Sequence, residues 1–134
     1  MQKKIAGILG GMGPEATVDF IKKVIDKTNA KIDQDHIQML IDHNPKVPNR
    51  HAAINGEGEN IGPHLAKMAL GLERAGADFL VMVCNTAHAF QADIQASVTI
   101  PFVSIVDEEI LKLKSQYRWI SRELSPKVKN YAAL

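Results

Sequence analysis

Five consecutive apolar residues, Phe79-Leu80-Val81-Met82-Val83, end abruptly at Cys84, the only cysteine among 134 residues. Asn85-Thr86-Ala87-His88 follow directly. A run that is apolar at every position, and β-branched at Val81 and Val83, reads as a strand covered on both faces. Strands of that kind belong to parallel sheets flanked by helices, so this stretch already selects an α/β fold. Cys84 then falls at the carboxyl end of a parallel strand, the edge at which open α/β sheets bind ligands. Asn85 and Thr86 fall where the next helix should begin. Free backbone N–H groups and the positive dipole end at such a place favour a carboxylate or a thiolate. The competing reading is plain packing, because a free cysteine is commonly a small buried hydrophobe.

The rest of the chain alternates strand and helix. Ile5 to Leu9 form a first strand, ended by Gly10-Gly11-Met12-Gly13. Pro14 suits the first turn of a helix and Glu15 the positive end of its dipole. Val18, Ile21, Val24 or Ile25, and Thr28 give that helix one buried stripe. Ile37 to Ile41 read as a second strand. A long polar loop from Asp42 to about Gly58 follows, carrying Pro45, Pro48 and Arg50. Asn60 can cap a second helix with Ile61, Leu65, Met68, Leu72 and Ala75 on one face, stopped by Gly76. After Cys84, a helix turns Phe90, Ile94 and Val98 inward, and Ile100 to Val103 form a short fourth strand. This βαβαβαβ order argues a parallel sheet with helices on both faces, connected right-handedly, and the expected sheet is four-stranded, ordered 2-1-3-4, in a flavodoxin-like, three-layer arrangement.

Past Ser104 the pattern becomes purely helical. Val106, Ile110, Leu113, Tyr117, Ile120 and Leu124 keep helical spacing, Asp107, Glu108 and Glu109 occupy the first turn, and Pro126 should end the helix. From Glu109 onward six basic residues (Lys112, Lys114, Arg118, Arg122, Lys127, Lys129) outnumber two acidic ones, Glu109 and Glu123. An exposed amphipathic helix accounts for that surplus, with contact to a membrane or an acidic partner as the rival reading. The expected division is an α/β domain over residues 1–106 and a C-terminal helix and tail over 107–134.

Charge and composition exclude several function classes. A net charge of +1 gives no bulk electrostatic reason to bind nucleic acid or an anionic membrane. Contents of 46% apolar and 23% charged residues are those of an ordinary soluble domain. One cysteine rules out an internal disulfide framework and fits a reducing cytoplasm. The apolar stretch near Ile5 is too short and too glycine-broken for a signal peptide or a membrane span.

Among chemical motifs, Gly11-Met12-Gly13-Pro14-Glu15-Ala16 formally matches a dinucleotide fingerprint after a strand. Glu15 would meet the pyrophosphate, Pro14 removes a donor, and no acid stands at the required distance along the second strand. A tight strand–helix turn admitting close backbone approach is the better reading. Cys84 and His88 are four apart and could face one way on a helix, but two ligands alone make a poor zinc site. A phosphate-binding GxxxxGK[ST] loop and a GxSxG elbow are both absent.

Four separated segments together resemble the aspartate/glutamate racemase family, which comprises cofactor-independent amino-acid racemases. They are Gly7-Ile8-Leu9-Gly10-Gly11-Met12-Gly13-Pro14-Glu15-Ala16-Thr17, Pro48-Asn49-Arg50, Gly76-Ala77-Asp78 and Cys84-Asn85-Thr86-Ala87-His88. The resemblance runs from about Lys4 to about Asp107. It implies two similar α/β domains around a pseudo-twofold, each supplying one cysteine to a shared site. By this resemblance Cys84 is the catalytic cysteine of the first domain, Asn85 and Thr86 hold a carboxylate, and Met12 and Arg50 line the pocket. Neither pyridoxal phosphate nor a metal is implied, and the substrate is a small acidic amino acid or dicarboxylate.

The chemistry suits those residues. Racemisation removes an α-proton and returns one to the opposite face, for which a thiolate is a competent base. An arginine fork neutralising the substrate carboxylate makes that proton more acidic. Arg50 could instead be an exposed loop residue and Met12 plain packing. A second cysteine is lacking, so the chain is expected to be a truncated first half, either impaired or a non-catalytic remnant that binds a dicarboxylate or a partner. A dinucleotide-binding domain is a distant third reading. Self-association as a dimer, with Cys84 of each copy facing the other, is the expected way to restore two thiols.

Overall fold

Strand β1 (Ala6–Gly10) is buried at all five positions and pairs on both sides, with β2 (Met39–His43) and β3 (Phe79–Met82). β4 (Phe102–Val103) pairs with β3, which completes a four-stranded parallel sheet ordered β2-β1-β3-β4. The computed structural model describes residues 3–116. The order and the parallel sense are those predicted.

Helix α1 (Pro14–Lys27) and helix α3 (Gly62–Arg74) lie on opposite faces of this sheet. A Cβ on Gly7 would meet Leu80, Ala77 and Leu72, whereas one on Gly10 would meet Thr17 of α1. Side chains three apart on a strand point to opposite faces, so α3 and α1 cover different sides and the architecture has three layers. Leu9, Ile61, Leu65, Ala69, Leu80, Met82 and Ile94 form the fully buried centre of the α3 side, with helix α4 (Gln91–Ser97) completing it. Gly76 adopts a φ of 105° after α3, as a helix-stopping glycine should. Asp78 then accepts a hydrogen bond from the Ile5 N–H (2.6 Å) and donates its own N–H to the Ile5 carbonyl (2.8 Å). Gly76-Ala77-Asp78 therefore ties the amino ends of β1 and β3 together.

Several local expectations are corrected. The second strand lies two residues later than predicted, because parallel pairing carries Asp42 and His43 alongside Leu9 and Gly10. The buried stripe of α1 is not centred on Val18 or Ile25, which are 63% and 47% exposed; Thr17 is the fully buried residue instead. The loop after β2 contains a short helix α2 (Arg50–Ile54), whose first turn is capped by the Asn49 side chain accepting from the Ala52 N–H at 3.0 Å. Ala75 is exposed at the end of α3 rather than on its buried face, and Ala69 takes that place. Residues Thr86–Phe90 form a 3-10 helix, so the α-helix expected directly after Cys84 begins only at Gln91.

Helix α5 (Ile105–Gln116) follows β4, with Ser104 at its start accepting from the Asp107 N–H at 3.2 Å. The predicted stripe positions Tyr117, Ile120 and Leu124, the stop at Pro126 and the basic residues beyond Gln116 lie outside the described residues. Among the described residues, no helix is long and apolar enough to cross a membrane.

Candidate active site

The site is built at the carboxyl edge of the sheet, where β1 and β3 end side by side. After Met82 the ladder runs on for one residue, the Val83 N–H donating to the Leu9 carbonyl at 2.9 Å. Cys84 comes next, partly buried and free of any disulfide. β1 ends in the turn Gly11-Met12-Gly13. Gly11 has φ of 89°, and a Cβ there would lie 2.5 Å from the Asn44 nitrogen, so both conformation and space demand glycine. The Gly11 N–H donates to the Thr17 hydroxyl at 2.8 Å within the interior. The first turn of α1 is thereby locked onto the turn that holds Met12.

Met12, Arg50, Cys84, Asn85 and Thr86, all five residues singled out from sequence, line one cleft of about 380 Å³. They come from three separated segments: the glycine turn, the start of α2, and the β3 exit. The Arg50 guanidinium is held by its own loop, Nη1 donating to the Val47 carbonyl at 3.3 Å and the Pro48 carbonyl at 3.4 Å. Both bonds use one nitrogen, which leaves other donors of the fork for a ligand. Of the four sequence segments, Gly76-Ala77-Asp78 does not reach the cleft and works at the other end of the sheet.

Sequence reasoning missed His51 and Ile105, which also line the cleft, beside Asn49 of the Pro48-Asn49-Arg50 segment. His51 neighbours Arg50 in the first turn of α2, a five-residue helix too short to show a period in the sequence. Ile105 arrives from the β4–α5 junction, a contact that only the fold supplies. Cys84 is followed by a five-residue 3-10 helix rather than a long α-helix, so the extended helix dipole expected beside the thiol is not formed there.

His88 does not point into the cleft as a partner ligand for Cys84. Its side chain is buried (5% exposed), with Nδ1 on the Cys84 carbonyl at 2.6 Å and Nε2 facing the Ile105 N–H at 3.3 Å. Its ring lies tilted 5.8 Å from that of Phe102. Burial pushes the imidazole below its ordinary value, partly opposed by its hydrogen bond to Cys84 and by the Asp107 charge. Gln91 and Ser104, also buried, satisfy one another, the Ser104 hydroxyl donating to the Gln91 side-chain oxygen at 2.8 Å.

Comparison with known proteins agrees with this fold. Residues 9–122 match the Asp/Glu/hydantoin racemase family. The broad specificity amino-acid racemase RacX of Bacillus subtilis (strain 168) is 35% identical over 111 residues, which are 80% of this chain and 48% of RacX. An aspartate racemase from Picrophilus torridus superposes with a TM-score of 0.80 at 31% identity, over 96% of this chain and 60% of that one. An aspartate racemase homologue from Pyrococcus horikoshii OT3 gives 0.65 at 37% identity, over 83% and 50%. The chain thus spans about half the length of the curated relative it matches. By matched segments, sheet order and overall likeness, the chain belongs to the Asp/Glu/hydantoin racemase family.

Proposed function

We propose that the chain carries a proton-transfer site of an amino-acid racemase acting on a small acidic substrate, with the Cys84 thiol as the group that removes or returns the α-proton. One observation carries the reading: Cys84, Arg50, Asn85, Thr86 and Met12 line a single cleft at the carboxyl edge of the sheet. Its volume suits a small amino acid, standing at the lower end of the usual range for ligand sites. Arg50 neutralises a substrate carboxylate through the donors that its own loop leaves unused, and Asn85 and Thr86 hold a carboxylate, as the resemblance implies. Neutralising the carboxylate lowers the cost of the carbanion formed when the α-proton leaves.

Inversion needs a second proton-transfer group on the opposite face of the α-carbon. In this reading it is Cys84 of a second copy, brought across a twofold axis. The binding step is tested by the rate at which iodoacetamide modifies Cys84 at pH 7. L-Aspartate or L-glutamate should slow that reaction in the native protein, and Arg50→Gln should weaken the protection about tenfold or more, as loss of a charge-assisted pair does. Modification that is blind to both amino acids, or that occurs only after unfolding, overturns the assignment of the cleft.

A further inference from the structure

We propose that His88 is a positioning residue of this site, its imidazole bridging the backbone of Cys84 to the backbone of Ile105 and so fixing two walls of the cleft relative to each other. The inference rests on the reading of the cleft as a site for an acidic amino acid.

The geometry defines what the ring must do. Nδ1 stands 2.6 Å from a carbonyl oxygen, which can only accept, so Nδ1 carries the proton. Nε2 stands 3.3 Å from a backbone N–H, which can only donate, so Nε2 must be an unprotonated acceptor. One neutral tautomer satisfies both contacts, and the imidazolium satisfies only the first. The two residues so joined both line the cleft, yet they leave the sheet from different strands, β3 and β4. Beside the sheet ladder itself, His88 links these two exits directly. Gln91 and Ser104 make a parallel link one turn away, from α4 to the start of α5. None of the buried polar side-chain atoms among the described residues lacks a partner, so the His88 bridge belongs to a fully satisfied polar network.

Protonating the ring would set two donors, Nε2–H and the Ile105 N–H, against each other. Burial favours the neutral ring, while Asp107 on α5 is the charged group that favours the cation; Phe102, Gln91 and Ser104, from the other elements around it, are neutral. The wall holding Cys84 should therefore loosen on acidification, and binding in the cleft should weaken with it.

The experiment is protection of Cys84 from iodoacetamide by L-aspartate, titrated from pH 5 to pH 8 in the intact chain and two variants, with circular dichroism as the check on folding. His88→Phe keeps a ring against Phe102 and loses both hydrogen bonds. His88→Asn keeps a donor near the Nδ1 position and loses the acceptor at Nε2. In the native chain protection should weaken on the acid side of the range. His88→Phe should need about tenfold more aspartate at pH 7.5 and show no such acid limb, while His88→Asn, which breaks the bridge at Ile105 as protonation does, should also need more aspartate at pH 7.5 and lack the limb. A native-like titration in His88→Phe, or an acid limb that persists in it, overturns the positioning role. Should His88→Phe fail to fold, the presence or absence of the limb in His88→Asn decides the matter. Native protein that gains no protection at any pH removes the reading of the cleft, and the inference with it.

Discussion

Thr17 is the residue through which helix α1 holds the glycine turn. Its hydroxyl accepts from the Gly11 N–H at 2.8 Å and lies 3.4 Å from the Gly13 carbonyl, to which it donates. Replacing it with valine keeps the shape and leaves a buried N–H unpaired, which should cost about 1–3 kcal/mol. Thr17→Ser should recover most of that loss, and urea denaturation of the two variants distinguishes them. Equal destabilisation by both would mean that packing of the methyl group dominates. Thr17 was not legible in the sequence as a buried residue, because Val18 beside it is the more apolar and fits the same helical period. Gly11, in contrast, was legible: a strand ended by a glycine cluster before Pro14 signals a turn of unusual backbone conformation. Cys84 was legible for a similar reason, as the polar break after an unbroken apolar strand.

At the scale of elements, the link between α3 and the α4–β4 connection shows a second kind of information that sequence hides. The Glu73 carboxylate, near the end of α3, accepts from the Thr99 hydroxyl (2.5 Å), the Thr99 N–H (2.8 Å) and the Ile100 N–H (3.2 Å). These bonds favour the charged carboxylate and hold it below its ordinary value. A depressed carboxyl binds fewer protons folded than unfolded. Its contribution is therefore complete above the ordinary value of 4.5 and is lost as pH falls through the lower folded value. Glu73→Gln should accordingly lower the melting temperature at pH 7 by more than at pH 3, as followed by circular dichroism. An equal loss at both pH values would show that the carboxylate charge is irrelevant to the link. Glu73 had no mark in the sequence, since its partners lie 26 and 27 positions away. Periodicity did identify the strands and most of the helices, because apolar spacing reports which face is buried. It missed α2, whose five residues are too few to display a period, and the 3-10 form of the segment after Cys84. The second strand was placed early because Asp42 and His43 look like loop residues, and only pairing with the end of β1 makes them strand.

For the whole molecule, the parallel α/β plan was readable from the alternation of apolar strands and helices, which right-handed connection narrows to a few topologies, whereas the meeting of three motifs in one cleft was legible only through the family resemblance. What the sequence could not supply is the far wall. His51 and Ile105 enter the cleft only because α2 and the β4–α5 junction fold back over the sheet edge. The single thiol of the chain sets a sharp chemical condition. One thiol that exchanges its proton with solvent can label an α-carbon on one face, whereas inversion requires a second group opposite it. Incubation with L-aspartate and L-glutamate in heavy water, for the native chain and for Cys84→Ala, separates these cases when α-deuterium and the D-isomer are followed together. Deuterium entering the α-position with the native chain, reduced at least about a hundredfold in Cys84→Ala, is the expected result for proton transfer by this thiol. D-isomer appearing faster than in proportion to protein concentration would add the second copy. No α-deuterium with either amino acid, or undiminished labelling by Cys84→Ala, would contradict thiol chemistry in this cleft.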